Sequence, residues 1–496
     1  MLKRLSLGLM LLISTVAMTA AQNFRLGVNY AELIPSGSAT AVNSVLTGTD
    51  SLGSLYVLIN GSTNAPANTT YLVKLSQNQV VYQNPLPYPA AIAMAVDPAG
   101  NVYLAVANAA NTNIYSVVKL GANGSTAEYT MTFGAQVVPT GLAADSMGRV
   151  YIAGYAAGNG IQTTPGALQT APASTNTADW NAFVMRLKAT GAVDYATYLG
   201  GSSPAQTSAI AVDASGSVFV SGTALASDFP TTQGAYLSAS SIPNFNYAYF
   251  LVRLSADGSS LIYSTFLSVA AYYPYSLAVD SGDSAVVTLL NAPNDQTVVE
   301  RFNPQGTALE FSKVLPAAGA TALALDEAGN IYLGLNANGN YPSINSLAAC
   351  QTAASGALTV LDQNGNILQS TYIPGAAGYP SMEIALGTDA TVYAVGLPSS
   401  AFKATQQLAG SPGGLVFVAS LTQNPSASVV QLACVTNAAS YDSAGISGGE
   451  IVSLFGQGLG PATASTPQSA YDGTPKQLAG VQVTFNGIAS PLMYVQ

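Results

Sequence analysis

Carboxylates, phenols and amides are the reactive groups this chain has to offer. It holds 23 Asp and Glu, 27 Tyr and two Cys, and no His. Without imidazole there is no Ser-His-Asp triad, no Cys-His dyad, no His-ligated zinc and no HExxH helix. Two cysteines cannot cage a metal in thiolate. Carboxylate chemistry remains, as does a hard cation held by oxygen ligands. The carboxylates in a regular setting are Asp50, Asp97, Asp145, Asp213, Asp280 and Asp326, five of which open Asp-x-x-Gly. Calcium takes about six or more oxygens, and each of these turns brings one carboxylate, so calcium is the lesser reading. The favoured one is structural: the carboxylate accepts backbone N–H groups of its own turn, and the glycine supplies a positive φ. On this reading no residue is singled out as catalytic, and no metal or cofactor is expected.

The aspartates belong to a repeat. Small and apolar residues lead into Asp-x-x-Gly-x-apolar-aromatic, and more apolar residues follow. AIAMAVDPAGNVYLAVA around Asp97, GLAADSMGRVYIAGY around Asp145, AIAVDASGSVFVSGT around Asp213 and ALALDEAGNIYLGLN around Asp326 are clear copies. TDSLGSLYVLIN around Asp50 is weaker. SLAVDSGDSAVVTLL has Asp283 in the glycine position, and EIALGTDATVYAVGL has Gly387 in the aspartate position. A second pattern follows each copy, as in AFVMRLKATGAVDYATYLG and YFLVRLSADGSSLIYSTFL: a strand, a Gly-containing turn, a strand. Two hairpins make four strands, and seven such units spaced 46 to 68 residues apart predict a seven-bladed β-propeller. The aromatic six residues after each Asp position (Tyr56, Tyr103, Tyr151, Phe219, Tyr332, Tyr393) should open the second strand and pack on a neighbouring blade. The last blade lacks a fourth strand before Pro425. Residues 24–30, FRLGVNY, are strand-like and are predicted to supply it and close the ring.

The first 21 residues read as a secretory signal peptide: Lys3 and Arg4, an apolar stretch from Leu5 to Val16, then small residues before Gln22. The protein is therefore expected to be secreted or at the cell surface, without membrane insertion. Removing Lys3 and Arg4 leaves 11 cations against 23 acids, a net charge of −12. That balance excludes nucleic acid and anionic membrane surfaces, which need basic patches. Only 7% of residues are charged, where about 25% is usual, so hydroxyls, amides and glycine must cover the surface. Export permits a disulfide between Cys350 and Cys434; two separate thiols are the alternative.

Asp194 to Tyr236, DYATYLGGSSPAQTSAIAVDASGSVFVSGTALASDFPTTQGAY, resembles the SBBP β-propeller repeat of secreted bacterial proteins, and TTPGALQT with AFVMRLKATGAVDYATYLGG is a partial second match. The resemblance implies a propeller and carries no catalytic residue. VTNAASYDSAGISGGEIVSLFGQGLGP and LAGVQVTFNGIASPLMYV resemble a different family, the Solibacter-type C-terminal domain. The chain stops at Gln496, where that family continues, so a partial immunoglobulin-like sandwich is expected. The expected organisation is all-β: residues 1–21 a signal peptide, 22–425 a seven-bladed propeller closed by an N-terminal strand, 426–496 a partial β-sandwich module.

Long connections between second and third strands, at residues 154–181, 223–248, 338–355 and 397–413, are candidate binding loops. Trp180, Phe229, Tyr236, Phe245, Tyr247 and Tyr341 lie in or beside them. Tyr272, Tyr273 and Tyr275, in a loop entering an inner strand, belong to the same face. Trp180, Phe229, Tyr247, Tyr272, Tyr273 and Tyr275 are the ligand-binding candidates, for a glycan or a protein partner; the plainer reading is that such aromatics pack loops onto blades. The first functional expectation is a monomeric, non-catalytic binding scaffold. The alternatives are a polysaccharide hydrolase or lyase using acids such as Asp179 and Asp228, and a structural envelope protein.

Overall fold

The computed structural model describes residues 26–34, 42–61, 70–238 (apart from 78, 109, 175, 226 and 227), 248–267, 273–291, 296–338 (apart from 317), 355–377, 382–399 (apart from 389) and 416–423, with a few isolated positions and parts of 431–495. Seven four-stranded antiparallel sheets follow one another along the chain. Blades 1 to 6 span residues 42–86, 91–132, 137–199, 205–266, 273–315 and 318–377. Blade 7 takes three strands from 383–423, and its fourth is the N-terminal strand. In each blade the first strand is innermost and the fourth outermost, and contacts between the inner strands of successive blades close the circle from blade 7 to blade 1. This is the seven-bladed propeller that the repeat predicts.

Second strands read as unbroken apolar runs because both of their faces pack on a neighbour. Leu55–Gly61 and Val102–Ala107 are buried at every position. The core is accordingly distributed between blades. One cluster joins Tyr103 and Ala105 of blade 2 to Val150, Phe183 and Tyr198 of blade 3. Another joins Tyr332 and Leu358 of blade 6 to Val392 and Phe417 of blade 7, and includes Leu26.

Ring closure uses Leu26–Ile34, antiparallel to Val416–Gln423 with Leu26 opposite Gln423 and Ile34 opposite Val416. The described strand runs four residues beyond the end that the sequence pattern suggests; residues 24 and 25 lie outside the described residues. Gln369 of blade 6 fixes its start: the Leu26 N–H donates to Gln369 Oε1 at 2.8 Å, and Gln369 Nε2 donates to the Leu26 carbonyl at 3.4 Å.

Inner strands of blades 1 to 6 share one irregularity. Each skips a residue against its second strand, at Asn43, Ile92, Thr140, Ser208, Tyr275 and Thr321. Such bulges bend a strand and re-aim a side chain.

Beyond the propeller, Gln431–Asn437 pairs with Val452–Gln457, and Thr484–Phe485 with Ile488–Ala489. The described residues there form these two strand pairs and two isolated bridges, Ser465 to Val495 and Leu478 to Val481. The leader at 1–21 lies outside the described residues. So does Cys350; Cys434 falls on the strand Gln431–Asn437, with its side chain outside them.

Candidate functional site

The two ends of the ring differ. One end carries the turns between first and second strands and between third and fourth strands; it is called the turn face here. The opposite end carries the connections between second and third strands and those between blades; it is the loop face.

The regular residues are consumed on the turn face. Asp50, Asp97, Asp145, Asp213, Asp280 and Asp326 each accept, through Oδ1, the backbone N–H groups two and four residues ahead, at 2.8–3.1 Å. The second oxygen takes a side-chain donor. It is the tyrosine six residues on for Asp50, Asp97, Asp145 and Asp326: Tyr56, Tyr103, Tyr151 and Tyr332, at 2.8–3.1 Å. Blades 4 and 5 have Phe219 and Val286 at that position. There Arg253 donates to Asp213 at 2.6 Å, and Arg301 donates to Asp280. Burial opposes the charge on Asp50, Asp145 and Asp213, but these hydrogen bonds and the Lys74, Arg149 and Arg253 partners outweigh it and hold all three carboxyls below their ordinary value.

The same donors tie blade to blade. Tyr56 donates to the Gly100 carbonyl of blade 2 at 3.2 Å and Tyr103 to Gly148 of blade 3 at 2.9 Å. Arg301 reaches Gly329 of blade 6 at 3.2 Å, and Tyr393 of blade 7 reaches Gly53 of blade 1 at 3.3 Å. Lys74, Lys119, Arg186, Arg253 and Arg301 occupy one position on five third strands, each opposite the aromatic position of the second. Lys74 lies 4.7 Å from the Tyr56 ring centre, and Arg253 4.9 Å from that of Phe219. Sequence reasoning missed this cation, although YLVKL, SVVKL, FVMRL, FLVRL and VVERF display it in register.

On the loop face, the described parts of the long connections in blades 3, 4 and 6 run along the outer strands as edge covers; residues 400–415 of blade 7 lie outside the described residues. In blade 3, Thr164 N–H donates to the Ala196 carbonyl (3.1 Å), Ala196 N–H to Thr164 Oγ1 (3.1 Å) and Gln169 N–H to Thr197 Oγ1 (2.9 Å), all along the outer strand. Blade 4 repeats this with Thr232, Ser264, Leu237 and Thr265. In blade 6 Ile344 and Ser370 exchange a pair of backbone bonds. The covered blades carry Thr197, Thr265 and Thr371 at one position of the outer strand; blades 1, 2 and 5 have Asn84, Met131 and Lys313.

This path decides where the predicted binding aromatics go. Phe229 is 2% exposed and stacks on Phe250 with ring centres 4.3 Å apart, so its ring has no free face. Tyr236 packs edge-on against Phe302 of blade 5, and Tyr341 is buried with its hydroxyl 2.7 Å from Thr359 Oγ1. Trp180 is half-buried, edge-on to Tyr155 at 5.1 Å. Tyr247, Tyr272 and the Tyr273 side chain lie outside the described residues. Tyr275 is the exception: it occupies the bulge of blade 5 at the loop-face end of its strand and is 47% exposed. Ile92, in the blade 2 bulge, is 40% exposed, and Asn43 in blade 1 is also exposed. Among the described residues, the candidate loop aromatics are covered while Tyr275 stands open on the bulged inner strand of blade 5; exposed amides occur both at the inner-strand bulges, as Asn43, and along the loops, as Asn111, Asn159 and Asn176. Asp179 accepts from Ser174 Oγ and Asn176 Nδ2 at 2.6 and 2.8 Å, and Asp228 accepts the Ser202 N–H at 3.1 Å with both oxygens. Asp179 staples its own loop, and Asp228 ties its loop to the connection between blades 3 and 4.

Residues 194–230, the fourth strand of blade 3 through the second strand of blade 4, match the family model described as the SBBP β-propeller repeat. The chain is a seven-bladed propeller carrying an SBBP repeat. No curated protein matches its sequence. Among solved structures it is similar to the WD40 β-propeller domain of Doa1, with 12% identity over 80% of this chain and 97% of that one, at a TM-score of 0.45. A protein of unknown function from Dyadobacter fermentans gives 12% identity, 80% and 99% coverage and a TM-score of 0.43. Hydrazine synthase from Kuenenia stuttgartiensis gives 10%, 74% and 99%, and 0.45. The blade count rests on the chain's own sheets. No helix among the described residues is long and apolar enough to cross a membrane.

Proposed function

We propose that this SBBP propeller is an exported, monomeric, non-catalytic binding scaffold whose ligand, a glycan or a protein, docks at the loop-face mouth of the channel. The observation that carries the reading is the contrast between the ends. On the turn face the recurrent polar side chains are used to join blades. At the loop-face mouth, Asn43, Ile92 and Tyr275 are presented to solvent from bulges in an otherwise regular ring. A rigid scaffold with re-aimed side chains at one mouth suits recognition, which gains when the contact surface is preorganised. The exported setting rests on the leader read in residues 1–21.

Partition of the purified chain onto envelope fractions and insoluble polysaccharides tests the reading. Tyr275→Ala is expected to weaken retention. Leu52→Ser, at an 82%-exposed position on the turn face, is expected to leave it unchanged. Equal retention of both variants, or loss only with Leu52→Ser, would place the binding surface elsewhere.

A further inference from the structure

We infer that the channel mouth takes a neutral sugar, stacked on Tyr275 and hydrogen-bonded by the rim, and rejects acidic glycans. The inference rests on the mouth being the binding surface and adds the chemical class of its ligand. The seven inner strands hold a single charged residue, Glu383, at the start of the blade 7 strand Glu383–Leu386. The described segments leading into them (87–90, 133–136 and 200–204) contain no Asp, Glu, Lys or Arg. Seven described cations lie at the turn-face end, Lys74, Lys119, Arg149, Arg186, Lys188, Arg253 and Arg301, and Lys313 lies on the outer strand of blade 5, away from the inner strands.

An anionic ligand such as a uronate polymer is recognised by Arg or Lys, whose fork or ammonium meets the carboxylate. Neither the inner strands nor their described lead-ins supply one, and the charge they do carry is of the wrong sign. Glu383 acts on the Tyr275 phenol, although burial is the larger influence there. The bulges of blades 1, 3, 4 and 6 bring Asn43, Thr140, Ser208 and Thr321, an amide and three hydroxyls. Thr140 and Thr321 already bond to Thr207 and Met382 of the next blades, which fixes them as a rigid part of the rim. Each inner strand also pairs on one side only, so the edge facing the channel offers backbone donors and acceptors. A sugar matches this surface. Its C–H face covers an aromatic ring, and its hydroxyls both donate and accept, so neutral rim groups are satisfied without any buried charge.

Calorimetric titration of the full chain with neutral oligosaccharides (cello-, xylo- and malto-series) and acidic ones (oligogalacturonate, oligoalginate) decides the matter. Binding of at least one neutral series is expected. Tyr275→Ala should weaken it on the order of tenfold, Tyr275→Phe should retain most of it, and the acidic series should give no heat. Circular dichroism of each variant separates lost binding from lost fold. Acidic oligomers binding as well as neutral ones, or neutral binding indifferent to Tyr275→Ala, overturns the inference. If no sugar binds while Tyr275→Ala still abolishes envelope retention, the sugar class is wrong and the mouth remains the binding surface.

Discussion

Blade 4 has Phe219 where blades 1, 2, 3 and 6 have tyrosine, and Arg253 makes up the missing donor. Asp213 is almost fully buried, and its second oxygen depends on the guanidinium. Arg253 also pairs with Asp283 at 2.6 Å, which stands where the repeat has glycine and takes a φ of 66°. The substitutions at 219 and 283 are thus read together through one arginine. Arg253→Ala should cost about 3 kcal/mol, the usual cost of breaking a buried pair from one side. Adding Phe219→Tyr should restore about 1 kcal/mol, because the hydroxyl would stand where Tyr103 and Tyr151 reach their aspartates. Chemical denaturation of the two variants measures this; no recovery in the double variant would show that the tyrosine and the arginine are not interchangeable here.

Elements join in this ring through side chains that reach forward by one blade. Tyr195, on the outer strand of blade 3, lies across Gly258 in the third-to-fourth-strand turn of blade 4; a Cβ there would meet the ring at 2.4 Å, and the φ of +71° already requires glycine. Blade 6 has Gln369 where blade 3 has Tyr195, and blade 7 has no such turn, since its fourth strand comes from the other end of the chain. The amide grips the Leu26 backbone instead. Gln369→Ala should remove both bonds and lower stability by about 1–3 kcal/mol, with faster amide exchange across 26–34 than across the blade 3 strands. Unchanged protection of 26–34 would mean that the pairing with 416–423 holds the strand unaided. Much of this architecture was legible beforehand: the Asp-x-x-Gly copies gave the blade count, and FRLGVNY gave the closing strand, because both are matters of local pattern. The role of Gln369 was not, since it follows from a contact 343 residues apart. The covering path of the long loops was hidden for a similar reason. It depends on Thr197 and Thr265 accepting backbone N–H groups, and alternation of polar and apolar residues does not encode that. The candidate mouth was half legible: the Tyr272–Tyr275 cluster marked the place, but only the bulge register separates exposed Tyr275 from buried Phe229.

At the scale of the molecule, the absence of histidine leaves no side chain that ordinarily titrates between about pH 5 and 8. The perturbed groups lie on either side. Asp50, Asp145 and Asp213 are held below 3.8 in the folded ring. The unfolded chain therefore binds their protons first, and the stability they contribute is complete above about pH 4 and lost as pH falls through the lower folded values. Tyrosines give the opposite sign. Burial pushes Tyr82, Tyr129, Tyr151 and Tyr341 up to about 12. The unfolded chain loses those protons first, near pH 10, so their contribution is full below that value and disappears as pH rises towards 12. Since these tyrosines lie between blades or beneath covering loops, their ionisation should open the ring rather than loosen one blade. The expected result is a melting temperature that is flat from about pH 5 to 9 and falls on both sides, with the alkaline fall tracking phenolate absorbance. A steep change between pH 6 and 7 would contradict this account, because no side chain named here titrates in that interval.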